Sequence, residues 1–228
     1  MEILKPIILF ILGSSIASFL VVIVIRGQHC ESILWPKSHC DSCNNSLTII
    51  ELIPIFNFIY LHGLCRYCKQ SINPTSFISE IILGSLFASS IFYSTSIEMI
   101  TISTWMLFLS LDDLNDTQVS RLALVSFIII CILFGKPPLA TLTITLAIMI
   151  VLILINRQEL FIGNADIEFG GALVLLIGLK LTLLAIFIAC LLALSYIFLR
   201  HDYHLKLPFV PFLSVAYLIT QQIESFIY

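Results

Sequence analysis

Seven long apolar stretches leave this chain little choice but to fold as membrane helices. They cover residues 3–25, 76–93, 97–111, 119–135, 139–155, 171–199 and 207–227. A helix that crosses a bilayer needs roughly 20 apolar residues. Charge is correspondingly scarce: 11% of the 228 residues are Asp, Glu, Lys or Arg, against about 25% in soluble domains. Residues 171–199 suit one tilted helix, or two short ones broken near Gly178 and Lys180. The expected fold is therefore all-α and polytopic, with about seven to eight transmembrane helices. The apolar stretch 7–25 lacks a small-residue cleavage site, so it reads as a retained span rather than a removed signal peptide. No basic stripe points to nucleic acid, and the sequence shows no evident internal repeat.

Residues 26–75 break the apolar pattern with a polar, cysteine-rich loop. The expected division is a first transmembrane helix (1–25), this loop (26–75) and a transmembrane domain carrying the catalytic candidates (76–228). The loop holds Cys40-Asp41-Ser42-Cys43 and Cys65-Arg66-Tyr67-Cys68, two CxxC pairs separated by 21 residues. That spacing is close to a zinc ribbon. Each CxxC turn aims two sulfurs at one point, and four thiolates make a closed tetrahedral zinc site. Such a metal staples a loop too small to build its own core. A cytosolic loop keeps its thiols reduced. His29, Cys30 and His39 stand near enough to act as substitute ligands. Cys131 and Cys190 fall mid-span and read as small core hydrophobes. The semi-apolar piece 47–61 is interrupted by Glu51, Pro54 and Asn57, so it belongs on the membrane surface or inside a small domain.

Two acids beside the apolar runs stand out, because a carboxylate next to hydrocarbon is costly and is a functional candidate by default. Asp113 lies in Leu111-Asp112-Asp113-Leu114-Asn115-Asp116, and Asp166 in Gly163-Asn164-Ala165-Asp166-Ile167-Glu168. The bland reading is a solvated loop carboxylate or a helix N-cap, and it suits Asp116 and Glu168. Chemistry alone does not separate Asp112 from Asp113. Orientation follows from lysine and arginine placement. With 171–199 split in two, the cytosolic side holds Arg26, Lys37, Arg66, Lys69, Arg121, Arg157, Arg200 and Lys206. The outside holds Lys5, Lys136 and Lys180. With one helix there, Arg200 and Lys206 move outside and the bias weakens. In both arrangements Asp113 and Asp166 fall on the cytosolic side with the cysteine loop.

The chain resembles the prepilin peptidases, the type IV leader peptidases that are GxGD-type aspartic proteases of the membrane. Ser18-Phe19-Leu20-Val21-Val22-Ile23 and Arg26 look like that family's opening GSFLNVVIxR. Cys40-x-x-Cys43, Leu52-Ile53-Pro54, Gly63-x-Cys65-Arg66-Tyr67-Cys68 and Ile72 look like its loop, CPxC…LIPxxSY…GxCRxCxxxI. Glu80 matches the glutamate of its next helix. Leu207-Pro208-Phe209-Val210-Pro211-Phe212-Leu213 matches its closing LPFGPFL. Asn44, Asn57, Val21 and Glu168 depart from the pattern.

The resemblance implies a catalytic pair. The family's first aspartate precedes an aliphatic residue by six positions, and six back from Val119 is Asp113. Ser120-Arg121 stands where Pro-Asp or Pro-Asn is usual. The second aspartate closes GxGD, here Gly163-Asn164-Ala165-Asp166, with Ala165 in place of glycine. A positive φ at that position would strain alanine. The implied reaction cleaves a prepilin or pseudopilin leader after glycine at the cytosolic membrane face. Many members also methylate the new N-terminus with S-adenosylmethionine, an activity associated with the cytosolic loop. Glu51, Glu80 and Asp41 are candidate contacts for the leader's basic end. Two rival readings remain: a non-enzymatic membrane scaffold presenting a zinc-binding knuckle, and a small transporter using the acids as a proton relay.

Overall fold

A computed structural model describes residues 4–28, 32, 35, 37–40, 42–48, 50–92, 96–116, 119–156, 163–200 and 207–227. His29, Cys30, Asp41, Arg157 and Lys206 lie outside these residues. Among the described residues the regular elements are all helices, joined by loops with isolated bridges and no strand. The order is α1 (Leu4–Gln28), α2 (Phe56–Tyr60), α3 (Thr75–Ser89), α4 (Ser96–Asp116), α5 (Arg121–Gly135), α6 (Leu139–Ile155), α7 (Asn164–Arg200) and α8 (Val210–Ile227). Three segments are long and apolar enough to cross a membrane: Leu4–Gln28, Thr75–Phe92 and Asn164–Arg200. Arg121–Gly135, Leu139–Ile155 and Val210–Ile223 are apolar but shorter. The chain is an all-α polytopic membrane protein.

By internal contacts the chain divides into two compact units, Met1–Phe108 and Leu109–Tyr228. In the first, α1 lies against α3 where both lack side chains. A Cβ on Gly13 would sit 2.7 Å from the Leu83 carbonyl, and one on Gly84 would sit 2.7 Å from Ser14 Oγ. Small residues at such crossings let backbones approach, which is how helices gain contact in lipid. Ala17, Leu83 and Phe87 form the buried centre of this pair. The piece 47–61 forms a 3₁₀ turn at Ile50–Leu52 and then α2. Phe58 of α2 stacks on Phe77 of α3 with centroids 4.5 Å apart, while Phe56, Ile59 and Tyr60 are exposed.

In the second unit, α5 crosses α7 at Gly135, whose missing Cβ would strike the Leu175 carbonyl. Phe127 of α5 stacks on Phe169 of α7 at 5.1 Å. Lys136 closes α5 in the left-handed conformation, and Pro137 and Pro138 prevent continuation before α6 begins. The sequence left 171–199 open between one helix and two. Helical geometry runs from Asn164 to Arg200 except at Gly178, with φ 81° and ψ 164°. Glycine takes that conformation without steric cost. Thr182 Oγ1 donates to the Gly178 carbonyl at 2.8 Å, satisfying a backbone group that the break disturbs. Cys131 is buried as expected, whereas Cys190 is exposed on α7 and is not part of the core.

Candidate functional site

The cysteine loop contains two copies of one knuckle, Cys40-x-x-Cys43-x-x-Ser46-Leu47 and Cys65-x-x-Cys68-x-x-Ser71-Ile72. In the first copy, the Cys40 N–H donates to Asn45 O (3.0 Å), Asn44 N–H to Cys40 O (2.8 Å) and Leu47 N–H to Ser38 O (2.8 Å). His39 bridges Ser46. In the second copy, Cys65 N–H donates to Gln70 O (2.8 Å), Lys69 N–H to Cys65 O (3.0 Å) and Ile72 N–H to Gly63 O (2.7 Å). Leu64 bridges Ser71. The residue after each second cysteine is left-handed, Asn44 at φ 55° and Lys69 at φ 60°. Asparagine tolerates that region and lysine rarely adopts it, so residue type at this one position does not signal the shared conformation.

The two knuckles bring Cys40, Cys43, Cys65 and Cys68 together, all four sulfurs within 4.8 Å of one another. Cys40 Sγ and Cys68 Sγ are 3.9 Å apart. Tetrahedral Zn–S bonds of about 2.3 Å place sulfurs about 3.8 Å apart. The donor set and its spacing therefore suit one thiophilic metal ion. Backbone N–H groups of Cys68 and Tyr67 aim at the Cys65 sulfur and bring its thiol down to about 7. At Cys68 the Gln70 N–H acts the same way, but burial and the neighbouring thiols outweigh it and push that thiol up to about 11. His39, a candidate substitute ligand, instead bonds through Nδ1 with the Lys37 carbonyl (3.0 Å).

The aspartates belong to the second unit, and the structure separates Asp112 from Asp113. Asp112 Oδ2 accepts the Ser120 N–H at 2.7 Å, holding the residue that caps α5. Asp113 turns inward and is 6% exposed. Its Oδ2 accepts the Val210 N–H at 3.0 Å. Val210 is the first residue of α8, so a helix N-terminus faces this carboxylate, the end whose free N–H groups and dipole favour negative charge. One turn away, Ser110 and Ser214 share a buried hydrogen bond of 3.0 Å that ties α4 to α8.

Asp166 stands in the first turn of α7 and is half-buried. The Gly163 backbone bonds its carboxylate, as the acid of a capping box bonds the N-cap residue. A Cβ on Gly163 would lie 3.1 Å from Asp166 Oδ2, so the glycine leaves this acid its room. Ala165 is helical and not at positive φ, so the anticipated strain at this position does not arise. The charge of Asp113 acts on Asp166, and the structure brings the two candidate acids within electrostatic reach. Glu168 feels the charge of Arg121 at the start of α5. The Asp116 side chain lies outside what is described.

Known proteins match this arrangement in sequence. A model of the bacterial peptidase A24 N-terminal domain matches residues 11–94. The chain is 36% identical over 93 residues to a prepilin leader peptidase/N-methyltransferase of Bacillus subtilis, covering 40% of this chain and 38% of that protein. It is 35% identical over 84 residues to the protein of the same name in Myxococcus xanthus, covering 37% and 25%. A third protein of that name, from Aeromonas salmonicida, is 25% identical over 207 residues, covering 81% and 70%. Over these stretches the chain is similar to the prepilin peptidase family. In the first two relatives the match spans well under half of their length. The Aeromonas alignment covers more of the chain than the first unit holds, so it necessarily enters the second. No solved structure matches the chain significantly.

The backbone of the closing segment 207–213 is a site feature that sequence reasoning used only as a family marker. Side-chain identity says nothing of the Val210 N–H that meets Asp113. The one available cue is Pro211, which has no N–H of its own and is well placed in a first helical turn.

Proposed function

We propose that this chain is a membrane aspartic endopeptidase that removes the leader of a prepilin or pseudopilin after glycine at the cytosolic membrane face. Asp113 and Asp166 are its catalytic pair. The observation that carries this reading is the inward, N–H-bonded Asp113 acting electrostatically on Asp166. Two carboxylates facing one water do not both ionise easily, and in this reading the pair shares a proton. The ionised member takes a proton from water, and the oxygen attacks the scissile carbonyl. The protonated member then gives its proton to the leaving nitrogen as the C–N bond breaks. The pair titrates as a unit, so neither acid is fixed as acid or base.

Zinc at the four cysteines fits the donor chemistry, closes the knuckles and takes no part in cleavage. The relatives' names join the peptidase to an N-methyltransferase, and methylation of the new N-terminus is the second activity proposed for this chain. S-adenosylmethionine would supply the methyl group.

Co-expression with a prepilin-type substrate tests the peptidase. Asp113→Asn and Asp166→Asn should each slow processing by about 10²–10⁴-fold, the usual range for a lost acid or base. Asp112→Asn keeps an oxygen for the Ser120 N–H and should stay within a few-fold of wild type. Wild-type processing by either of the first two variants would sink the assignment. A second reading has one observation in its favour: the family-model match, 11–94, contains the cysteines and neither aspartate. Wild-type protein that binds zinc and cleaves no leader would support a non-enzymatic scaffold instead.

A further inference from the structure

Leu52, Ile53, Phe56, Ile59 and Tyr60 stand exposed on one short stretch of the cysteine loop. Phe56, Ile59 and Tyr60 are three and four residues apart and so share one face of α2. The Phe56 and Tyr60 rings stack at 5.7 Å, 9° from parallel. The opposite face turns to α3: Asn57 and Phe58 are half-buried, and Phe58 stacks on Phe77. Apolar residues scattered singly over a surface are ordinary, but a contiguous group marks something it touches.

The attachment of α2 fixes its height. The span Thr75–Phe92 has 18 residues, about 27 Å at 1.5 Å per residue. A hydrocarbon core is about 30 Å thick, so a span this short has no turn to leave outside. α2 lies against the side of the first two turns of α3. Phe58 meets Phe77, and the Ile55 N–H donates to Glu80 Oε2 at 2.7 Å. Glu80 stands five residues into α3, about 7.5 Å along its axis. Its carboxyl tolerates that depth because Oε1 also accepts the Ser76 hydroxyl (3.0 Å), so both oxygens have donors. The bond to Glu80 holds Ile55 at φ 66°, a conformation that a β-branched residue seldom adopts. Phe77, Glu80 and Ile81 share a face of α3. Ile81, one turn deeper than Phe77, is exposed, and so is Ile78 beside it. The outer face of α2 therefore continues the lipid-facing surface of α3.

We propose that α2 is a wedge seated in the bilayer interface, with Phe56, Ile59 and Tyr60 among the outer segments of the lipid chains and Phe58 on α3. Two observations select lipid as the occupant: the surface is continuous with that of a membrane span, and the Glu80 bond sets the depth. Interfacial helices bury their apolar face about 5–10 Å into the boundary between headgroups and acyl chains, the level that Glu80 occupies. Tyr60 suits this layer, where a tyrosine ring meets hydrocarbon and its hydroxyl meets headgroups. The second knuckle is tied to the wedge, since the Gly63 N–H donates to the Phe58 carbonyl at 2.9 Å. The wedge thus anchors the cysteine loop to the membrane surface without help from the aspartates.

Tryptophan fluorescence of the full chain tests it, in nanodiscs of phosphatidylcholine and phosphatidylglycerol with one copy per disc. Trp35 and Trp105, the two native tryptophans, are replaced by phenylalanine, and Phe56→Trp and Ile59→Trp are made one at a time. Both positions are exposed, so packing is kept, and unchanged circular dichroism checks it. Ile82→Trp, on the exposed side of α3, calibrates contact with lipid. Each α2 reporter should be quenched more by lipids spin-labelled beside the headgroup than by lipids labelled at the chain end. Aqueous iodide should quench each at least fivefold less than it quenches free tryptophan amide. Free iodide access with no lipid quenching at both positions would put the face in water and overturn the wedge. Protection without lipid quenching that appears only with two copies per disc would assign the face to a second copy. Protection that appears only on adding a prepilin-type substrate would assign it to the substrate. Either result overturns the wedge equally.

Discussion

At the scale of single residues, the site depends on small groups that leave room and on one backbone donor. Gly163→Ala would place a methyl 3.1 Å from Asp166 Oδ2, so the carboxylate must move, and leader cleavage should slow while the helices stay intact. Ala165→Gly tests the neighbouring position in the opposite sense. Ala165 is already helical, so glycine relieves nothing and should cost at most about 1 kcal/mol of stability without raising the cleavage rate. A large gain in rate for Ala165→Gly would show that the helical geometry at 165 is not the active one. Val210→Pro is the sharper probe. Proline is well tolerated at the first position of a helix, so α8 should form while Asp113 loses its 3.0 Å donor. Cleavage should fall at least tenfold with helical circular dichroism unchanged; wild-type cleavage would show that the bond does not matter. As a candidate, Asp113 was legible in the sequence through its family-like offset to Val119, and its burial sets it apart from Asp112. Its donor was not, because a main-chain N–H belongs to every residue but proline and leaves no mark in the one-letter string.

At the scale of elements, spacing alone anticipated that Cys40, Cys43, Cys65 and Cys68 come together, since two CxxC turns must each aim a pair of sulfurs. The knuckle repeat behind this cluster was missed: the shared Cys-x-x-Cys-x-x-Ser is short, and its common geometry resides in hydrogen bonds and in two left-handed residues, Asn44 and Lys69, of unlike chemistry. The break in α7 was half-legible: Gly178 was marked as a weak point, but only its φ of 81° shows that helical geometry stops there. The loop offers little apolar burial of its own around the sulfurs, and metal binding is then folding free energy. The purified reduced protein should carry about one zinc per chain. A strong chelator should remove it and strip hydrogen-exchange protection from the amides of Asn44, Leu47, Lys69 and Ile72. The α1 and α3 amides should keep theirs, because that pair is held by its own close crossing. Full loop protection after complete zinc removal, or zinc content near zero at the start, would refute the metal as the staple.

At the scale of the whole molecule, the membrane arrangement follows from lengths and charges. The two parts of α7, 164–177 and 179–200, have 14 and 22 residues, about 21 and 33 Å at 1.5 Å per residue. The second part alone matches a hydrocarbon core of about 30 Å. The lysine and arginine bias is strongest when Lys180 lies outside and Arg200 inside, which requires each part of α7 to traverse the bilayer separately. Single cysteines at these positions decide it, in a background where Cys30, Cys131 and Cys190 are replaced and the four knuckle cysteines stay metal-bound. A membrane-impermeant maleimide added to intact cells should label Lys180→Cys and spare Arg200→Cys. Inverted vesicles should reverse the pattern. Labelling of Arg200→Cys from outside would mean that residues 171–199 cross once, and the final loop and the start of α8 would then lie outside. That outcome would strand the Val210 donor on the face opposite a cytosolic Asp113, two groups that the structure holds 3.0 Å apart. The bond between them therefore favours two crossings on geometric grounds independent of the charge count.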